Sequence, residues 1–153
     1  MVLPASTAND LTMTITEEIR VKAPLDATFA ALLEELGSQH MVGEDHPLPM
    51  KLEARPGGRW YRDLGQDNGH LWGHVQAIKR PTLLEITGPL FMSFAAVSNV
   101  QYRLTPVDGG TLITFRHSAM GLNLEEHRAG AQSGWAYSHD RVRRAAENKE
   151  VKR

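Results

Sequence analysis

The hydrophobic pattern is clearest near the C-terminus. Leu124, Ala131, Trp135 and Val142 recur at the α-helical period and fall on one narrow stripe. Arg128, Ser138, His139, Ala145 and Ala146 flank the stripe, and Glu126, Ala129, Ser133, Asp140, Arg144 and Glu147 lie opposite. The spacing predicts one long amphipathic helix over 122–147, and Asn123 with Glu126 has the spacing of a capping box at its start. A helix whose buried stripe carries a tryptophan needs a concave surface to lie on.

The preceding chain supplies a sheet. The apolar residues Ile15, Ile19 and Val21 predict a strand over 14–22. Ala23-Pro24 then opens a helix carrying Leu25, Phe29, Leu32, Leu33 and Leu36, and Gly37 stops it. Residues 37–49 read as polar and irregular. From Met50 the pattern becomes strands broken by turns: 50–55 and 59–64 around Pro56-Gly57-Gly58, then 70–79, 82–88, 92–105 and 111–118. Strand, helix, about six strands and a long helix describe an α+β fold. A curved antiparallel sheet of about six to seven strands wraps around the C-terminal helix.

Composition narrows the function classes. The 153 residues form one domain over 13–150, preceded by a leader over 1–12. With a net charge of -1 there is no overall pull toward nucleic acid or anionic lipid. The absence of cysteine excludes disulfides, thiolate metal sites and cysteine nucleophiles. The N-terminal stretch does not have the form of a signal peptide, and no apolar run suits membrane insertion, so the expected location is cytoplasmic.

Several pieces resemble, in order, the SRPBCC superfamily, the START-like or birch-pollen-allergen-like helix-grip fold. The closest resemblance is to the small domains named after the activator of heat-shock-protein-ninety ATPase. The pieces are Ala23-Pro24, Pro56-Gly57-Gly58-Arg59-Trp60, Gly73-His74-Val75 through Ile78 to Pro81 and Leu84, Gly110-Thr111 through Thr114 to His117-Ser118, and Gly134-Trp135. The resemblance implies a sheet gripping the last helix, with a space between them that commonly holds an apolar small molecule. The superfamily includes lipid carriers, hormone receptors, aromatic polyketide cyclases and co-chaperones, so fold alone does not choose among functions.

Alternation within the strands nominates the interior residues. Ile113, Phe115 and His117 share one face, which points His117 inward. It reads as a group orienting a ligand, or as a structural histidine bonded to backbone near the helix start. Trp135 and His139 are one turn apart: a cavity wall with a polar tip, or a core anchor with a marginal histidine. Gly130 and Gly134 offer close backbone approach, or are tolerated weak spots. Phe91, Met92 and Phe94 form a cavity mouth or a closed sheet corner. Phe94, Val100, Tyr102 and Leu104 share a parity that brings the Tyr102 hydroxyl to the interior. Trp60, Arg62 and Leu64 alternate against Arg59, Tyr61 and Asp63, and either face could be inward. His70, Trp72 and His74 share a face read as exposed or as a subunit contact. The two histidines are about 13 Å apart, too far to share a metal.

The resulting expectation is a hydrophobic small-molecule binding domain. Its candidate ligand residues are Trp60, Phe91, Phe94, Tyr102, Phe115, His117, Trp135 and His139, with no catalytic residue, metal or cofactor. A co-chaperone of the heat-shock-ATPase-activator type, with a chaperone partner, is the second reading. A cyclase-like enzyme is the third, with His117, Tyr102, His139 and Glu85 moving protons. Glu34-Glu35 and Glu125-Glu126 read as solvated helix positions. The basic residues Arg141, Arg143, Arg144, Lys149, Lys152 and Arg153 read as a solvated helix end or a docking patch. A homodimer is left open.

Overall fold

The computed structural model describes residues 11–151, with side chains to residue 148. Its elements are β1 (Thr12–Val21), α1 (Leu25–Leu36), β2 (Lys51–Leu52), β3 (Arg59–Gly65), β4 (Asn68–Lys79), β5 (Leu83–Gly88), β6 (Ala96–Val107), β7 (Gly110–Gly121) and α2 (Leu124–Val151). One seven-stranded sheet runs in the order β1-β7-β6-β5-β4-β3-β2. The meander from β2 to β7 is antiparallel throughout, and β1 closes it by pairing with β7.

Alternation sets the inner face of the long strands. Met13, Ile15, Ile19 and Val21 of β1, Ser98, Val100, Tyr102 and Leu104 of β6, and Ile113, Phe115, His117 and Ala119 of β7 are all buried. The register stacks them in rows: Ile15 opposes His117, which opposes Val100, and Tyr102 opposes Phe115. Glu17 holds an inward position in this pattern, between Ile15 and Ile19, where an apolar residue is expected.

Helix α1 buries Phe29, Leu32 and Leu36 and ends at Gly37, whose N–H reaches the carbonyls of Leu33 and Glu34. Pro24 occupies the N-cap rather than the first helical turn. Helix α2 buries the predicted stripe of Leu124, Ala131, Trp135 and Val142 together with Ala146, and packs on α1 and β1. Asn123 stands at φ 57°, not in the extended conformation of a capping-box N-cap, so that motif does not form. The two helices are joined by a part-buried ion pair, Arg141 Nε to Glu35 Oε2 at 2.9 Å, with the Glu35 side chain the buried partner. Glu35, expected as a solvated position, is only 6% exposed. Arg143 and Arg144 pair with Asp140, so the helix-end cations Arg141, Arg143 and Arg144 are all engaged. The side chains of Lys149, Lys152 and Arg153 lie outside the described residues.

Three strand readings change. The strand expected over 50–55 is only Lys51–Leu52, because the Glu53 carboxylate turns back to bind the Arg59 backbone N–H and guanidinium. The strand expected over 92–105 begins at Ala96. Leu90 stands at φ 56° and donates its N–H to the Trp72 carbonyl, so residues 89–95 cross the end of the sheet instead of extending it. In β4 the pairing with β3 jumps from Trp60–Gly73 to Tyr61–Leu71, and the pairing with β5 jumps from Val75–Ile86 to Ala77–Glu85. These bulges break the strict alternation. Trp72 turns into the core at 6% exposure while His74 stays outside, so Trp72 is neither on an exposed face nor available as a subunit anchor. Gly73 and Gly88 permit the distortion: a Cβ on Gly88 would fall 2.4 Å from both Gly73 Cα and the Trp72 carbonyl oxygen.

Removing one side of the helix–helix pair leaves a buried charge without its partner. Arg141→Leu is therefore expected to lower unfolding free energy by about 3 kcal/mol in urea titration. The Glu35→Leu/Arg141→Leu double variant is expected to recover most of that loss.

Candidate functional site

Trp135 divides the space between sheet and helix. Its indole Nε1–H donates to His117 Nδ1 at 3.0 Å. Tryptophan is only a donor, so His117 Nδ1 carries no proton and the neutral ring is protonated at Nε2. That N–H donates in turn to Ser98 Oγ at 2.7 Å. The partners of His117 are thus two side chains, not the backbone near the helix start. Burial, with the ring 0% exposed, lowers its pKa from 6.5 to about 4. The neutral imidazole is the form that can accept from Trp135.

Behind Trp135 the core is solid. Phe115 lies 4.8 Å from the indole and His139 stacks on it at 5.7 Å with planes 15° apart. His139 Nε2 meets the Tyr102 hydroxyl at 2.9 Å, and its Nδ1 stands 3.3 Å from Glu17 Oε1. The second contact is close enough for an ion pair but off the line of a hydrogen bond, since Nδ1 has no hydrogen-bond partner. Burial, reinforced by the Glu17 charge, pushes the Tyr102 phenol well above its ordinary range. Tyr102, His139 and Glu17 form a chain of polar groups whose inner members are sealed from solvent.

On the other side of Trp135 the space is open. A pocket of about 420 Å³ is bounded by Trp72 of β4, Phe91 of the 89–95 crossing, Trp135 of α2, and His40, Met41, Val42 and Leu48 of the loop after α1. That loop is held as a small hairpin, with Leu48 N–H on the His40 carbonyl and Val42 N–H on the His46 carbonyl. The remaining wall is one flank of α2: Glu126, His127, Gly130, Gly134 and Ser138. A Cβ built on Gly130 or Gly134 meets nothing within 4 Å. The two glycines therefore serve no close backbone approach; they hold the pocket wall back. Both indole N–H groups are engaged away from the pocket, Trp135 on His117 and Trp72 on His70 Nδ1 at 3.2 Å, so the walls present carbon faces.

Of the residues nominated from sequence, the structure places Phe91 and Trp135 on this pocket. Phe94 stacks on the rim residue His127 with centroids 4.6 Å apart. Trp60 is fully buried one layer deeper, edge-on to Trp72 at 5.0 Å and donating to the Leu36 carbonyl at 2.7 Å, which also settles which face of β3 is inward. Tyr102, Phe115, His117 and His139 lie behind the Trp135 wall, and Glu85 binds Asn99 and Gln101 elsewhere on the sheet. Trp72, His40 and Ser138 were not nominated. Only the apolar Met41, Val42 and Leu48 within a polar stretch signalled that loop. Among the described residues no group of three or more His, Asp or Glu could hold a metal ion. No helix among the described residues is long and apolar enough to cross a membrane.

The His117 arrangement has a pH signature. Its folded pKa lies below the unfolded value, so the unfolded chain takes up the proton first as pH falls. Its contribution to stability is full above pH 6.5 and falls between pH 6.5 and 4. The expected loss at pH 4 is about 3 kcal/mol, measured by urea unfolding across that range. A His117→Gln variant, which cannot titrate there, is expected to lose most of this dependence.

Comparison with known proteins agrees with the architecture. Residues 22–147 match the family model described as Activator of Hsp90 ATPase homolog 1-like protein. No curated protein sequence matches the chain. Among solved structures, an uncharacterized protein from Rhizobium leguminosarum superposes with a TM-score of 0.70 at 20% identity, covering 90% of this chain and 95% of its own. The AHSA1-like protein from Aeromonas hydrophila gives 0.65 at 18% identity, covering 91% and 95%. The di-domain ARO/CYC protein StfQ of the steffimycin biosynthetic pathway gives 0.68 at 11% identity, with 94% of this chain on 53% of that one. At these identities the neighbours share the fold. The family model spans most of the sequence, and the chain belongs to the activator of Hsp90 ATPase homolog 1-like family of SRPBCC helix-grip domains.

Proposed function

We propose that this domain binds an apolar, aromatic small molecule in the pocket between α2 and the 40–48 loop, without transforming it. One observation carries the reading. Gly130 and Gly134 are one turn apart in the middle of a 28-residue helix, and each costs about 1 kcal/mol of helix stability relative to alanine. No backbone or side chain occupies the room they leave. That room faces three aromatic rings, Trp72, Phe91 and Trp135, in a space of the size range used for small ligands. Solid packing would place an alanine or leucine there. The StfQ neighbour is an ARO/CYC protein, which makes aromatic guests a reasonable class to test on this fold.

The geometry disfavours the cyclase-like alternative with the residues nominated for it. His117, Tyr102 and His139 lie behind Trp135, and Glu85 is not on the pocket, so none can exchange a proton with a guest while the wall is in place. Nothing in the pocket specifically favours a chaperone over a small molecule as its occupant.

Naphthalene titrated against the intrinsic tryptophan fluorescence is expected to bind at one site and quench Trp72 and Trp135. Gly134→Leu fills the space and is expected to weaken binding about tenfold or more. Its thermal midpoint is expected to be equal or higher, because the substitution raises helix propensity at a position where a Cβ meets no atom within 4 Å. Unaltered naphthalene affinity in that variant would remove the pocket as the binding site.

A further inference from the structure

The polar groups at the pocket's inner end define the guest more narrowly; this inference rests on the pocket reading above. His40 is 6% exposed, set edge-on to Trp72 at 5.6 Å, and lines the pocket. Its Nδ1 lies 3.1 Å from the Glu35 carbonyl oxygen. A carbonyl only accepts, so Nδ1 carries the ring proton and Nε2 of the neutral ring is a lone-pair acceptor. The Glu35 carbonyl is itself held in place, since the Glu35 carboxylate is clamped by Arg141 across the helix interface. Burial, with a smaller effect from the Arg141 charge, lowers the His40 pKa and keeps the ring neutral.

Ser138, 5% exposed, lines the same pocket one turn beyond Gly134. Among the described residues neither His40 Nε2 nor Ser138 Oγ has a hydrogen-bond partner. Among the described residues the only side-chain nitrogen or oxygen both fully buried and unpartnered is His139 Nδ1, so His40 Nε2 and Ser138 Oγ each retain open space beside them. The pocket carries no lysine or arginine and has the Glu126 carboxylate at its rim. Its buried polar groups are thus one fixed acceptor and one hydroxyl among aromatic walls, with Glu126 and His127 exposed at the rim.

We propose that the pocket selects a neutral aromatic alcohol, whose hydroxyl donates to His40 Nε2 and accepts from Ser138 Oγ while its ring lies among Trp72, Phe91 and Trp135. An ether or an unsubstituted ring leaves the His40 lone pair dry and unpaired, and a carboxylate meets no lysine or arginine and a rim glutamate. The fatty-acid class, which needs a cation or several donors for its head, is thereby disfavoured.

Three probes of similar size separate these cases: 2-naphthol, 2-methoxynaphthalene and 2-naphthoate, titrated at neutral pH. The wild-type protein is expected to bind the naphthol about tenfold more tightly than the ether, and the carboxylate most weakly. His40→Phe is expected to erase the preference while retaining ether binding. Ser138→Ala, which leaves the packing around His40 intact, is expected to weaken only the naphthol, by about threefold. Equal binding of naphthol and ether, stronger binding of the naphthoate, or an undiminished preference in both variants would overturn the alcohol assignment. The pocket reading survives those outcomes as long as Gly134→Leu still weakens ether binding. Failure of all three probes to bind, or binding indifferent to Gly134→Leu, would overturn the pocket reading itself.

Discussion

The hydrogen bond from the Trp135 indole to His117 is the constraint on which the interior depends. It fixes a large flat side chain so that one side of the indole packs against Phe115 and His139 and the other faces open space. A tryptophan free to rotate could sink into the room beside it. With its N–H committed to a buried, neutral imidazole, and that imidazole committed to Ser98, the ring acts as a partition. Trp135 is therefore both core anchor and wall, and the two readings of it from sequence are not exclusive.

The partition separates two chemistries. Behind it lie the ionisable groups Tyr102, His139 and Glu17, with Tyr102 and His139 bonded to each other and shielded from solvent. In front of it lies a space lined by carbon, with His40 and Ser138 as its polar contacts at the inner end. The helix–helix pair of Arg141 and Glu35 connects the two sides, because the residue that anchors α2 to α1 also supplies the carbonyl that orients His40. A change that loosens α2 would thus disturb both the shape of the pocket and the direction of its acceptor.

Much of the fold was legible because its long strands alternate cleanly. Residues 98–104 of β6 and 113–119 of β7 pair without interruption, so parity alone put Tyr102, Phe115 and His117 inside. The stripe on α2 was legible for the same reason at a period of 3.6. Parity failed on β4, where the bulge between the Trp60–Gly73 and Tyr61–Leu71 pairs turns Trp72 inward relative to His74. A close approach of Gly73 to Gly88 accommodates it, a contact between strands that no local pattern records. The 37–49 segment read as polar filler because its order comes from cross-loop backbone bonds rather than from periodicity. Burial and site membership also proved to be different properties. Four of the inward residues chosen from sequence lie behind the partition, and the pocket is instead shaped by glycines whose significance is the absence of a side chain.

The central claim is that the glycine-lined space in front of Trp135 is where a guest sits. Intermolecular nuclear Overhauser effects between 2-naphthol and isotope-labelled protein test it most directly. The account predicts contacts from the ring protons to the Gly130 and Gly134 Hα atoms and to the Trp72 and Trp135 indoles. Contacts confined to the exposed face of the sheet, or to residues behind Trp135 such as Phe115 with none to the glycines, would contradict it.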